Sequence, residues 1–369
     1  MKKKVGILTF HGAHNYGSVL QSFASVQTLR RLGYEPEIIN LRNQAQLDAY
    51  KIINTKSFTH RLFKILISPA LISRRKKFEY FINHILPVSR KEYRTGKELD
   101  VDAMDYDIYY TGSDQVWNPA CQDFESAYYL DFVHHKRPTI AYAPSLGKGS
   151  FDLKDKELIR KLLENVDFLS CREQTGADLI SELSGRSAMQ VCDPVLLQTA
   201  EQWSETAKAP ERKRKYILAY FLNNNHGNRS QLYDLQKTTG YDIILLNDYI
   251  RDFFNPRVTM KLDASPEEFL GLIRDAEIVY TNSFHATAFS VIFRKNFYTA
   301  ISANADVLNN NDSRKIDFLT SINLENRLIR DGETIHPFRD GIDYEKVETI
   351  IDTIRKNSLS YLIQALNGK

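Results

Sequence analysis

The chain has 369 residues, 43% of them apolar and 26% charged, which excludes disorder as its main theme and supplies material for more than one hydrophobic core. Against 46 Asp and Glu, 49 Lys and Arg leave a formal net charge of +3, too slight to mark a nucleic-acid binder. Cys121, Cys171 and Cys192 are odd in number and lack C-x-x-C spacing, so neither a disulfide framework nor a zinc site is implied and a reducing cytoplasm is the simple reading; no other metal site and no bound cofactor are expected.

From the amino terminus, residues 5–10 read as a strand; His11, Gly12 and His14 break that apolar run too early for a signal peptide. A loop at 11–17, a helix at 18–32 stopped by Gly33, and a strand at 36–40 complete an α/β opening unit. The alternation returns as strands at 108–111, 139–143, 168–171 and 190–192, with helices at 154–163 and 175–183. Such alternation predicts a mainly parallel sheet covered on both faces. A polar stretch at 200–215, containing A-K-A-P-E-R-K-R-K, predicts a linker between domains 1–200 and 201–369. Beyond it lie a strand at 216–221, an Asn-rich loop at 223–225, a helix at 230–238, a strand at 242–246 and a helix at 266–274. Strands at 278–280 and 296–300 follow, and Val347, Ile350, Ile351 and Ile354 give residues 344–366 the period of a long terminal helix.

A helical insertion is expected at about 57–97. It joins Leu62, Phe63, Ile65, Leu66 and Ile67 to the bases Arg74, Arg75, Lys76 and Lys77, with Arg90, Lys91, Arg94 and Lys97 beyond. Two readings stay open: an amphipathic segment lying on an anionic membrane surface, or a solvated insertion.

Four places carry residues suited to chemistry. In I-V-Y-T-N-S-F-H-A-T-A-F-S, residues 278–290, His285 stands where a strand turns into a helix, beside N–H groups that favour an anion. It is either a catalyst or a histidine held by its own turn. H-G-A-H-N-Y-G-S-V-L-Q, residues 11–21, offers Asn15 and Ser18 to a sugar, but a tight turn and cap would need only Gly17 and Ser18. T-G-S-D-Q-V-W-N-P, residues 111–119, directs Asp114 and Gln115 toward the same crevice with Trp117 as a stacking face, or else is a turn beside a packed ring. Arg172, in S-C-R-E-Q-T-G, gives a forked donor for phosphate or carboxylate, or a salt bridge with Glu173 or Asp193.

The ordered series H-x-x-N-Y-G-S-x-L-Q, G-S-D-Q-V-W-N, Y-A-P-S-L-G, S-C-R-E, C-D-P-V and N-S-F-H-A resembles the polysaccharide pyruvyl transferase family over residues 4–319. The resemblance implies two Rossmann-like α/β domains facing a cleft, GT-B-like, with a C-terminal helix. It further implies transfer of the pyruvyl group of phosphoenolpyruvate to a pair of sugar hydroxyls as a cyclic ketal, in the synthesis of bacterial surface polysaccharide. On this resemblance His285 is the general acid. Arg172 binds phosphoenolpyruvate together with Lys315 or, if the register slips, Arg314, with Ser283 and Phe284 beside them. By topology the acceptor falls to Asn15, Tyr16, Gly17, Ser18, Asp114, Gln115 and Trp117. A polyprenyl-linked acceptor would bring the protein to the inner face of a membrane. A nucleotide-sugar glycosyltransferase of the same fold and a non-catalytic glycan-binding protein are the competing expectations.

Overall fold

The computed structural model describes residues 2–49, 51, 57–101, 104–134, 137–210, 214–222, 226–247, 252–303, 305, 312–337 and 341–368. The expected Asn-rich loop at 223–225, part of the expected linker (211–213) and most of the loop at 302–312 lie outside these residues.

Two parallel sheets organise the chain. The first runs β3-β2-β1-β4-β5, from β1 (Lys4–Leu8), β2 (Glu35–Leu41), β3 (Val88–Tyr93), β4 (Ile108–Thr111) and β5 (Thr139–Ala141). A parallel pair, β6 (Ser170–Cys171) with β7 (Met189–Gln190), continues from it through a bridge between Ile140 and Phe168. The second sheet runs β10-β9-β8-β11-β12-β13, from β8 (Tyr216–Tyr220), β9 (Asp242–Leu245), β10 (Val258–Met260), β11 (Ile278–Thr281), β12 (Asn296–Ile301) and β13 (Leu328–Arg330). The buried runs Tyr-Ile-Leu-Ala-Tyr in β8 and Ile-Val-Tyr-Thr in β11 suit central strands covered on both faces. Each sheet reverses its winding once, between β1 and β4 and between β8 and β11. Ligand crevices of open α/β sheets form at the carboxyl ends of the strands at such points.

The insertion differs from the helical expectation. Helices Phe58–Leu66 and Ser68–His84 are present, but Val88–Tyr93 is the edge strand β3. Its V-S-R-K-E-Y sequence has too few apolar residues to announce a strand, and its exposed Arg90, Lys91 and Glu92 suit a sheet edge, where charge discourages further pairing.

The halves are tied by packing rather than by the connecting chain alone. Tyr16 stacks on Phe269 with ring centroids 4.3 Å apart, and its hydroxyl donates to the Ala264 carbonyl at 3.0 Å. Lys77 pairs with Glu268 at 2.7 Å. The terminal helix Tyr344–Leu366 returns to the first half: the Tyr361 hydroxyl donates to Ala141 O at 2.9 Å and Ser358 Oγ accepts from Cys192 N at 2.9 Å. Among the described residues, no helix is long and apolar enough to cross a membrane.

Candidate active site

The two switch points face one another, and the loops leaving β1, β4, β6, β7 and β11 build one buried polar cluster. From the second half comes helix Phe284–Ile292, capped by Ser283, whose Oγ accepts from Ala286 N at 3.4 Å. His285 stands in its first turn, buried, with Nε2 3.5 Å from Asp193 Oδ2. That is an ion-pair distance, too long for a good hydrogen bond, and Nε2 has no hydrogen-bond acceptor among the described residues. The other edge of the ring lies against Gly17: a Cβ on that glycine would come within 2.1 Å of His285 Nδ1. Glycine is required there for close approach, since any side chain would displace the imidazole.

Asp193 is the centre of the cluster. Its Oδ2 accepts from Arg172 Nη1 at 2.7 Å and Ser113 Oγ at 3.1 Å, while Oδ1 accepts from Val195 N at 3.0 Å. Burial alone would raise the Asp193 carboxyl, but His285 and Arg172 beside it hold it below the usual carboxylate range. Arg172 Nε donates to Glu173 Oε1 at 2.9 Å, and the guanidinium lies 4.3 Å above the Phe284 ring. Both salt bridges weighed from the sequence therefore form, yet Nη2 of Arg172 is buried with no acceptor among the described residues.

The β4 loop reaches the cluster from the other side. Gly112 has φ +110, and a Cβ there would meet the Tyr142 carbonyl at 2.2 Å; Asp114 follows in the left-handed region at φ +69. Asp114 Oδ2 accepts from Ser18 Oγ at 2.6 Å. Burial would raise this carboxyl too, but the charges of His285 and Arg172 and the Ser18 bond hold it low. Gln115 turns its amide oxygen to Nη2 and Nη1 of Arg314, at 2.9 and 3.0 Å, the orientation that pairs an acceptor with two donors. Arg314 Nε is a third buried side-chain nitrogen of the cluster with no acceptor among the described residues.

Several expected site residues are placed otherwise. The Trp117 ring is wholly buried, stacked on Tyr129 at 4.5 Å with Nε1 donating to Tyr128 O at 2.9 Å, so it offers no face to a sugar. Tyr16 is spent on the contact between the halves described above. Asn15 is the cap of helix Tyr16–Arg31, its Oδ1 accepting from Gly17 N at 2.9 Å and Ser18 N at 3.4 Å. Lys315 turns away from Arg172: Nζ donates to Ala300 O at 2.9 Å and Asn282 O at 3.2 Å and pairs with Asp312 at 2.5 Å, which ties helix Ser313–Ser321 to the ends of β11 and β12. Of the two basic neighbours, Arg314 is the one that joins the cluster. Phe284 contacts it as the platform under Arg172.

Asp193, Glu173 and Ser113 belong to the site without having been singled out as binding residues. Asp193 stood in the C-D-P-V motif, where a strand end precedes a helix-starting proline, the same strand-to-turn signal that marked Arg172. A cavity of about 40 Å³ adjoins the cluster, walled by Arg172, Glu173, Cys192, Asp193, Phe284, Arg314 and Asp317. It has room for about one water molecule. A much larger cavity, near 740 Å³, lies instead at the opposite end of the first sheet, beside Lys4, Arg30 and Glu37. The chemistry of the side chains, not the size of the hollow, marks the site. No group of three or more His, Cys, Asp or Glu among the described residues is placed to hold a metal ion.

Comparison with known proteins fixes the fold and the family. A Listeria monocytogenes structure described as a candidate UDP-N-acetylglucosamine 2-epimerase superposes with TM-score 0.53 at 8% identity, covering 99% of this chain and 91% of that one. The S. aureus MnaA–UDP structure gives 0.53 at 10% identity, covering 96% and 88%. The Neisseria meningitidis UDP-GlcNAc 2-epimerase bound to UDP-GlcNAc gives 0.50 at 9%, covering 100% of both. At such identities the likeness is one of fold: two Rossmann-like α/β domains facing a cleft, GT-B-like, as the motif order led one to expect. No curated protein matches the chain. The pattern of the family described as polysaccharide pyruvyl transferase matches residues 15–303, most of the chain, and the protein belongs to that family.

Proposed function

We propose that the protein transfers the pyruvyl group of phosphoenolpyruvate to two neighbouring sugar hydroxyls, forming a cyclic ketal and releasing phosphate. The observation that carries this reading is the set of three buried basic side chains, Arg172, Arg314 and His285, each with a nitrogen lacking an acceptor among the described residues, gathered where two helix-starting turns meet. A small molecule bearing both a phosphate and a carboxylate would supply those acceptors. Arg172 and Arg314 are the donor-binding pair in this reading. Lys315 is a support for the helix that presents Arg314.

The reaction balances with no cofactor. Proton transfer to the methylene carbon of phosphoenolpyruvate makes C2 electrophilic, and His285, in its protonated form, is the donor. The first hydroxyl oxygen bonds to C2 and gives up its proton, the C2–O bond to phosphate breaks, and the second hydroxyl closes the ketal with loss of its own proton. One hydroxyl proton replaces the one delivered to carbon; the other leaves on phosphate, so the protein ends as it began. Asp114, held ionised and steered by Ser18, is the acceptor offered to the sugar hydroxyls. Asp193 positions Arg172 and His285 relative to each other. Phosphoenolpyruvate exceeds a cavity of about 40 Å³, so binding requires the cluster to open first.

The test is incubation of the purified protein with phosphoenolpyruvate and a panel of soluble glycosides, following phosphate release and acceptor mass. Stoichiometric phosphate with a pyruvyl ketal on the sugar supports the reading. Consumption of a nucleotide sugar with phosphoenolpyruvate untouched would establish a glycosyltransferase instead.

A further inference from the structure

We propose that helix Phe58–Leu66, with Phe254 beside it, is a docking surface for an anionic lipid membrane. This stands on the surface itself and does not depend on the reading of the active site.

The helix is apolar on two faces. At 100° per residue, Phe63 and Ile67 point one way and pack with Leu262 and Met260 of the second half. Phe58, Leu62, Ile65 and Leu66 fall within one arc on the opposite side. They remain 51–74% exposed, where an ordinary surface helix would carry charge. A segment distant in sequence adds a further exposed ring beside the helix: Phe253 meets Phe63, on the packed face, with ring centroids 5.6 Å apart, and the adjoining Phe254 is 82% exposed. Four large apolar side chains exposed on one helical arc mark an interaction site rather than scattered surface residues.

Charge selects the partner. Residues 57–77 contain six Lys and Arg and no Asp or Glu. Arg61 lies on the flank of the apolar arc, and Arg75 and Lys76 are exposed on the following helix. A protein partner could match an apolar face alone. An apolar arc on a segment that carries cations and no carboxylate matches the acyl boundary of a bilayer below anionic headgroups. The insertion packs against both halves of the molecule, so docking through it would hold the whole enzyme at the surface.

The experiment is co-sedimentation of the full chain with vesicles of phosphatidylcholine alone and of phosphatidylcholine mixed with phosphatidylglycerol. The expected result is salt-sensitive binding to the mixed vesicles only. Leu62→Ser with Ile65→Ser should lower the partition coefficient roughly tenfold or more, and Arg61→Glu with Lys76→Glu should abolish the preference for phosphatidylglycerol. Both variants should keep the wild-type circular dichroism and thermal melting curve, because Arg61, Leu62, Ile65 and Lys76 are exposed. Equal sedimentation with both vesicle types, or variants that bind like wild type, overturns the proposal. So does a wild-type dimer that the Leu62 and Ile65 changes convert to monomer without altering vesicle binding, which would assign the patch to a second copy of the chain.

Discussion

Two histidines follow central strands in this molecule, and the protein holds them in opposite ways. His11, in the turn after β1, has Nε2 3.1 Å from Asn40 Oδ1 and Nδ1 3.2 Å from Thr9 O, and burial together with the Arg42 charge lowers its pKa to about 4. It is a neutral piece of structure, its ring lodged between two protein oxygens, one of which its single N–H meets. His285, in the turn after β11, is almost as buried, but its Nε2 faces Asp193 across 3.5 Å with no hydrogen bond completed. Burial therefore does not separate a histidine that the protein has bonded from one with a ring nitrogen left open. The difference is whether the protein itself has used the ring nitrogens.

The largest expected effect breaks that comparison if it is wrong. His285→Gln should cost at least about 10³-fold in the rate of pyruvyl transfer while leaving the fold near normal. His11→Gln should keep the rate within about tenfold but lose roughly 1–3 kcal/mol of stability, read by urea denaturation, because a buried polar group loses its partner. If the folded His11 variant were as inactive as the His285 variant, the division of roles would fall.

That division was only half legible in the sequence. Strand–turn–helix signals located both turns, and the β-branched and aromatic run before His285 identified a buried strand, because these patterns are local. Which turn faces the other domain is a matter of topology, and no local pattern contains it. The same limit explains Trp117 and Tyr16: an aromatic residue next to a polar loop is equally compatible with a sugar platform and with a packed ring, and only the stacking partners Tyr129 and Phe269, remote in the chain for Tyr16, decide. Arg314 and Lys315 are adjacent, so helical geometry sends their side chains about 100° apart. A one-residue uncertainty of register therefore exchanged a site residue for a supporting one.

Two substitutions sharpen what sets His285 apart. Asp193→Asn preserves shape but removes the charge shared by Arg172 and His285, and should lower kcat by about 10- to 100-fold, with Arg172 still held by Glu173. Gly17→Ala should cost about 10-fold or more in kcat with little change in KM for phosphoenolpyruvate, because the new Cβ meets the imidazole and not the arginines. An unchanged rate in Gly17→Ala would mean that the ring position against the glycine is not the reactive one.

The smallest effect concerns a carboxylate bordering the cluster, Asp317, whose behaviour inverts that of Asp193. Both are drawn upward by burial, but Asp193 faces cations, whereas Asp317 faces Glu173 and Asp178 and is raised from 3.8 to about 6 despite a bond from Thr175 Oγ1. Between those two values the folded chain holds a proton that the unfolded chain has released, so stability falls as pH rises, and above about 6 the penalty is complete. Asp317→Asn keeps an acceptor for Thr175 and removes the charge. Relative to wild type it should gain up to about 1–2 kcal/mol at pH near 8, after allowing for solvent screening, and almost nothing near pH 4. Urea denaturation at the two pH values measures the difference. An equal gain at both would trace the effect to packing rather than to the buried negative charge.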